Sequence, residues 1–328
     1  MDGNDGDRYV TAFPLSILES TTCGISLSHR NNLTAWNNGD ALVQAVAANN
    51  NNTIVVVNSV GPLILEPWVD HPNVTAVLWA GLGGTETGNA LVDVLYGAVN
   101  PSGRLPYTIA KSPSDYPAQL VTGGTGDEIL NITYTEGCAV SLLPTMVCTA
   151  DAIRNISLFI DYRHFDAANI APRYEFGFGL SYTTFEYSGL SITTVGGEPD
   201  QDGALEANWA AGKPSPRVVG ASTALWLHRP AFTVSFTVEN VGSSAGTEIP
   251  QVYLHFPVQA GEPPSVLRGF TDVYLQPGEA QSVTITLSRY DLSIWDVASQ
   301  SWIRPAGPYS LSVGASSRDF RLNGTIPL

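Results

Sequence analysis

The chain has 328 residues, 44% of them hydrophobic, which is enough to fill two domain cores and excludes disorder over most of its length. Lys+Arg 15 against Asp+Glu 30 leaves a formal net charge of −15, which repels phosphate backbones and anionic lipid and argues against nucleic acid or a membrane surface as partner. No apolar run approaches the roughly 18 residues that a membrane helix requires, so a soluble chain is expected.

In chain order, the acidic opening Met1 to Arg8 has neither the basic nor the apolar stretch of a secretory signal, so the native protein is expected to begin upstream of Met1. From Asn38 to Leu105 helical and extended patterns alternate. Asn38 or Asp40 can cap a helix with Leu42, Val43, Val46 and Ala47 on one face. Thr53 to Asn58 is a β-branched run expected as a strand buried on both faces, Pro62 to Asp70 carries a short element, and Asn73 to Ala80 reads as a second buried strand. The glycine-rich stretch Gly81 to Gly88 follows, then a helix through Leu91, Val94 and Leu95 ending near Gly97. Two strand-helix steps predict a parallel sheet covered by helices.

After Pro230 the period changes to two: Val234, Phe236 and Val238, then Val252 and Leu254, then Val283, Ile285 and Leu287 alternate with residues facing the other way. Turn signals at Asn240–Gly242, Gly261–Pro264, Gln276–Gly278 and Pro305–Pro308 separate these runs and predict an antiparallel β-sandwich. The expected division is a partial α/β sandwich domain over 1–110, a linker rich in Pro, Gly and aromatics over 111–180, and an all-β domain over 181–328 with a loop at 196–221.

Candidate motifs are mostly explained by their context. Gly81-x-Gly83-Gly84-x-x-x-Gly88 lies where a dinucleotide fingerprint would, but Glu86 stands where that spacing needs Gly and no P-loop Lys follows, so a tight turn is expected. Glu86 suits the positive end of the following helix better than acid catalysis. Gly242-Ser-Ser244-Ala-Gly246 has the letters of a nucleophile elbow, but it joins two sandwich strands rather than a strand and a helix. His29, His71, His164, His228 and His255 show no ligand spacing, so neither a metal nor another cofactor is expected. Asp161-Tyr-Arg-His-Phe-Asp166 gathers acid, base and aromatic groups, with packing at the domain boundary as the expected use. Glycosylation sequons start at Asn32, Asn51, Asn73, Asn131, Asn155 and Asn323 and, with only 14% charged residues, suit an extracellular protein.

Several long blocks together resemble the C-terminal half of fungal β-glucosidases of glycoside hydrolase family 3: Asn31–Gly39, Asn73–Leu82, Asp93–Pro106, Phe159–Asp166 and Tyr174–Phe185. Asn240–Gly246, Gln251–Leu254 and Leu267–Phe270 resemble that family's fibronectin type III-like domain. The resemblance implies an extracellular retaining hydrolase acting on terminal β-glucosyl residues of oligosaccharides. It also implies that the nucleophilic Asp belongs to an N-terminal barrel domain and the acid/base Glu to a loop preceding Asp2, so no catalytic residue is assigned in this chain. By the same resemblance Tyr9–Arg30 and Cys138–Ser157 are insertions, and Cys23, Cys138 and Cys148 all lie in them. Translated intron sequence would account for such inserts, which would make the Asn155 sequon spurious; real surface loops, bridged by a disulfide or not, are the alternative. A different class of function, a non-catalytic module gripping glycan or cell wall through Trp209, Trp226 and Trp295, also fits the composition.

Overall fold

A computed structural model describes residues 8–13, 33–117, 158–195, 207, 208, 210–213 and 225–327. It divides into two compact units: Met1–Val99 with Leu105–Phe176, and Asn100–Arg104 with Gly177–Leu328. Of the residues expected as a linker over 111–180, the described ones at 111–117 and 158–176 cluster with the first unit.

The first unit is built on a three-stranded sheet in the order β1 (Arg8–Phe13), β2 (Thr53–Ser59), β3 (Val74–Trp79). β2 and β3 are parallel, as the strand-helix alternation predicts, but β1 runs antiparallel to β2, so the sheet is mixed rather than wholly parallel. The backbone of Tyr9–Phe13, at the start of the first expected insertion, supplies most of that edge strand. β2 is buried along most of its length, because its β-branched residues meet apolar neighbours on both faces.

Helix α1 (Gly39–Asn49) lays Val43 and Ala47 on a core shared by Val55, Val57, Leu63, Leu65, Trp68 and Ile109. Leu42, expected on that face, points to solvent. Asn38 occupies the N-cap in a left-handed conformation, φ 61°, without a side-chain cap bond, and the Asp40 carboxylate accepts from Trp68 Nε1 at 2.9 Å. Pro62–Asp70 forms turns rather than a regular element, yet supplies the buried Leu63, Leu65 and Trp68. β3 is not the fully buried strand its sequence suggests, since Thr75 and Ala76 are exposed. Helix α2 (Thr87–Leu95) buries no residue, and its Leu91, Val94 and Leu95 are half-covered. A short helix, α3 (Tyr162–Ala167), buries Tyr162 and Phe165.

The second unit is the expected sandwich. One sheet has the order β10 (Ala280–Ser288), β5 (Pro230–Asn240), β4 (Phe185–Thr194). The other has the order β14 (Phe320–Thr325), β13 (Ser310–Gly314), β7 (Gln251–His255), β8 (Val266–Phe270), and all pairings in both are antiparallel. Two small pairs, β6 (Gly246–Glu248) with β9 (Val273–Leu275) and β11 (Ile294–Asp296) with β12 (Ser301–Ile303), complete the unit. Val234, Phe236, Val238, Val283, Leu287, Leu254 and Leu311 fill the core from both sheets, as the alternation requires. Tyr253, which alternates with the core residues Val252 and Leu254, is buried as well: its hydroxyl donates to Gln251 Oε1 at 2.6 Å and its ring packs against Phe320.

Candidate functional site

The glycine turn is a turn. Gly81 and Gly84 both have positive φ, 61° and 69°, and this carries the chain from the end of β3 into α2. Glu86 sits at the N-cap, where the helix dipole favours a carboxylate. Its carboxylate accepts from the Asn89 side chain at 2.6 Å instead of from a backbone amide, so it does not cap the helix as expected.

The Asp161 block packs inside the first unit. Asp161, with φ 53°, accepts from Thr108 N at 2.8 Å and from Thr108 Oγ1 at 3.2 Å. His164 Nε2 lies 3.1 Å from Asp115 O, and Tyr162 stacks on Phe176 with ring centroids 4.7 Å apart. Nearby, Arg173 holds two carboxylates that sequence reasoning missed. Its Nε and Nη2 donate to Glu66 at 2.7 and 2.5 Å, and its Nη1 and Nη2 to Asp70 at 3.0 and 2.9 Å. These contacts hold the guanidinium firmly in its charged form and tie the segment after α3 to the Pro62–Asp70 turns. Glu66 and Asp70 lie four apart in sequence, but only the tertiary arrival of Arg173 makes them a cluster.

In the second unit the segment Asn100–Arg104 contributes a buried ion pair. Arg104 Nη2 donates to Glu248 Oε2 at 2.8 Å, with side-chain exposures of 9% and 2%. Tyr187 donates its hydroxyl to Glu248 Oε1 at 2.8 Å. Burial first, and then the negative charge of Glu248, push the Tyr187 phenol well above its ordinary range, so it stays a donor. Asn100 adds a second anchor, donating to Ala245 O and accepting from Ser181 Oγ and Tyr182 N. With both oxygens of Glu248 satisfied, the cluster serves packing rather than proton transfer.

The remaining candidates are dispersed. Ser244 lies in the β5–β6 turn, where its carbonyl accepts from Asn240 Nδ2. His71 Nδ1 accepts from Asn73 N, His228 packs at a tilt against Tyr290, and His255 bridges Pro264 O and Ser312 Oγ. Among the described residues no group of three or more His, Cys, Asp or Glu could hold a metal ion, and no helix is long and apolar enough to cross a membrane. Trp295 is not freely exposed: it packs edge-on against Trp302, its partner across the β11–β12 pair. The side chains of Trp209 and Trp226 lie outside the described residues, as do His29, the three cysteines and the insert Cys138–Ser157.

Of the sequons, Asn51 is exposed between α1 and β2, and Asn323 is exposed on β14 with its Oδ1 accepting from Ser312 Oγ. Asn73 is half-buried and donates to Ala47 O at 2.8 Å. Asn32, Asn131 and Asn155 lie outside the described residues.

Comparison with known proteins gives these two units their place. Residues 17–182 match the glycosyl hydrolase family 3 C-terminal domain, and residues 248–317 match a fibronectin type III-like domain. A relative from Neosartorya fischeri, named Probable beta-glucosidase L, is 46% identical over 303 residues, which is 92% of this chain and 35% of the relative. Beta-glucosidase cel3A of Pyricularia oryzae is also 46% identical, over 92% of this chain and 36% of its own length. The crystal structure of beta-D-glucoside glucohydrolase from Trichoderma reesei superposes with a TM-score of 0.74 at 45% identity, covering 91% of this chain and 36% of that one. The chain thus spans about a third of the length of the relatives it matches. It belongs to glycosyl hydrolase family 3, carrying that family's C-terminal domain followed by a fibronectin type III-like domain.

Proposed function

We propose that this chain acts as the C-terminal part of an extracellular β-glucosidase, which releases terminal β-D-glucosyl residues from oligosaccharides. The observation that carries this reading is the 46% identity to proteins named as β-glucosidases, sustained over 92% of the chain. Retention of configuration needs two carboxyl groups about 5 to 5.5 Å apart, one to attack the anomeric carbon and one to protonate the leaving oxygen. Glu66 and Asp70 are both spent on Arg173, and Glu248 on Arg104 and Tyr187. These three acids maintain the fold, and the family resemblance implies that the nucleophile and the acid/base belong to the part of the longer relatives that this chain does not match. The sequons at Asn51 and Asn323, both exposed, suit the extracellular reading.

The test compares two polypeptides on an aryl β-glucoside. The 328-residue chain alone is expected to give no turnover. A chimera that places it behind the upstream region of the Pyricularia oryzae relative is expected to hydrolyse the substrate. Turnover by the chain alone, or a folded chimera without activity, overturns the reading.

A further inference from the structure

The folded chain treats the amides of its described sequons differently. Strand β14 alternates, with Arg321, Asn323 and Thr325 exposed on one side and Leu322 and Gly324 half-covered on the other. The Asn and Thr of that sequon therefore share the solvent side. Gly324 between them faces inward, where an added Cβ would come within 2.8 Å of Ile192 Cδ1 and 3.0 Å of Leu190 Cδ2.

At Asn323 the engaged end of the amide is its oxygen. Oδ1 accepts from Ser312 Oγ at 2.8 Å, directly across the β13–β14 pair. Ser312 is only 3% exposed, and its Oγ also lies 2.7 Å from His255 Nε2, whose Nδ1 lies 2.7 Å from Pro264 O. A chain of hydrogen bonds thus runs from the Asn323 amide through β13 and β7 to the segment before β8, and among the described residues Nδ2 makes no hydrogen bond. Asn73 is the opposite case. There Nδ2 itself donates to Ala47 O at 2.8 Å, the residue is half-buried, and the Thr75 hydroxyl of the same sequon donates to Asn52 Oδ1 at 2.6 Å.

Attachment of an N-linked sugar joins Nδ2 to an anomeric carbon. The C1–O bond to a polyprenyl diphosphate donor breaks, the N–C1 bond forms, Nδ2 gives up one proton and the diphosphate leaves. A bare Asn amide can turn half a revolution and exchange Oδ1 for Nδ2. A sugar on Nδ2 removes that freedom, because it has no room beside the buried Ser312.

We propose that Asn323 carries an N-linked oligosaccharide in the folded protein, that Asn73 does not, and that the sugar on Asn323 holds Oδ1 against Ser312 and so tightens the β13–β14 pair. The site rests on the extracellular reading, because attachment requires the secretory pathway, but not on hydrolytic activity.

The test uses the full chain behind a leader peptide, secreted from a glycosylating host and, in parallel, made in a bacterium that lacks that machinery. Where the cell retains the chain alone, the same variants in the chimera carry the measurement. Enzymatic deglycosylation in heavy-oxygen water converts each occupied Asn into a labelled Asp, and peptide mass spectrometry is expected to find the label at Asn323 and not at Asn73. Thr325→Ala removes the sequon without changing Asn323 or Ser312, and Thr325→Ser restores it. In the secreted proteins, backbone hydrogen exchange in β13 and β14 is expected to be about threefold faster for Thr325→Ala than for the parent or Thr325→Ser, whereas the three bacterial proteins should exchange alike. An unlabelled Asn323 in folded secreted protein overturns the site, and a labelled Asn73 overturns the discrimination between the two. A labelled Asn323 whose loss in Thr325→Ala leaves exchange unchanged overturns the lock, and so does an equal acceleration in the bacterial protein. Because occupancy is read by mass, an inactive chimera with a labelled Asn323 overturns the proposed activity and leaves the site standing.

Discussion

The two units treat similar apolar strands very differently. In the sandwich, Val234, Phe236 and Val238 of β5 are all buried, enclosed between two sheets that cover each other. In the first unit, β3 reads Val-Thr-Ala-Val-Leu-Trp with no residue fully buried, and α2, apolar at five of its nine positions, buries none either. A sandwich closes its core with its own strands, whereas a parallel sheet needs helices on both faces and neighbours at both edges. Among the described residues, the first unit sets β2 beside one edge of β3 and buries no position of α2.

The comparison breaks most readily at the buried ion pair. Glu248→Ala leaves Arg104 buried without its counter-charge and is expected to destabilise the sandwich by about 3 to 5 kcal/mol in denaturant unfolding. Replacing both partners by apolar residues, Arg104→Met with Glu248→Leu, should recover most of that loss. A double variant as unstable as Glu248→Ala would show that the charges, and not their mutual satisfaction, hold the segment Asn100–Arg104 in place.

Aliphatic truncation sharpens the contrast directly. Leu254→Ala in β7 removes a wholly buried side chain and should cost about 2 to 5 kcal/mol. Val92→Ala in α2 removes a side chain that is half in solvent, and is expected within about 0.5 kcal/mol of the parent. Comparable losses at both sites would mean that α2 is enclosed in solution. Gly177→Ala tests backbone rather than burial: Gly177 has φ 79°, and an added Cβ would collide with the Gln251 side chain, whose Nε2 binds Gly177 O and Ala315 O. More than about 1 kcal/mol of destabilisation is expected, beyond the usual cost of a left-handed alanine.

Legibility in the sequence followed the range of the interactions. The alternation at Val234–Val238 and Val283–Leu287 places those residues in the core without further information, because a strand's facing is a local property. The β-branched run of β2 is equally plain. Leu42 is misread because a helix of this length has several apolar positions, and which seam is buried depends on where Leu63, Leu65 and Trp68 arrive. The antiparallel β1 and the clusters around Arg173 and Glu248 are invisible for the same reason: Arg173 and Glu66 are 107 residues apart, Arg104 and Glu248 are 144 apart, and no local pattern announces them. Tyr253 shows the reverse case: it alternates with the core residues Val252 and Leu254, and a buried glutamine supplies the hydroxyl's acceptor.

The smallest expected effect concerns Asp40 in the first unit. Burial raises its carboxyl above the ordinary range, and the hydrogen bond from Trp68 Nε1 opposes that rise without cancelling it. The folded state therefore holds the Asp40 proton to higher pH than the unfolded chain, so this group's contribution to stability is fully present below the ordinary carboxylate range and is lost as pH rises through the raised value. Asparagine is neutral throughout and its side-chain oxygen can still accept from Trp68. Asp40→Asn should match the parent near pH ~3 and exceed it at pH ~7, with a flatter dependence of unfolding free energy on pH between them. If the variant is instead less stable at neutral pH, the charged carboxylate is an asset to the Trp68 contact, and the first unit is more solvated around α1 than its core implies.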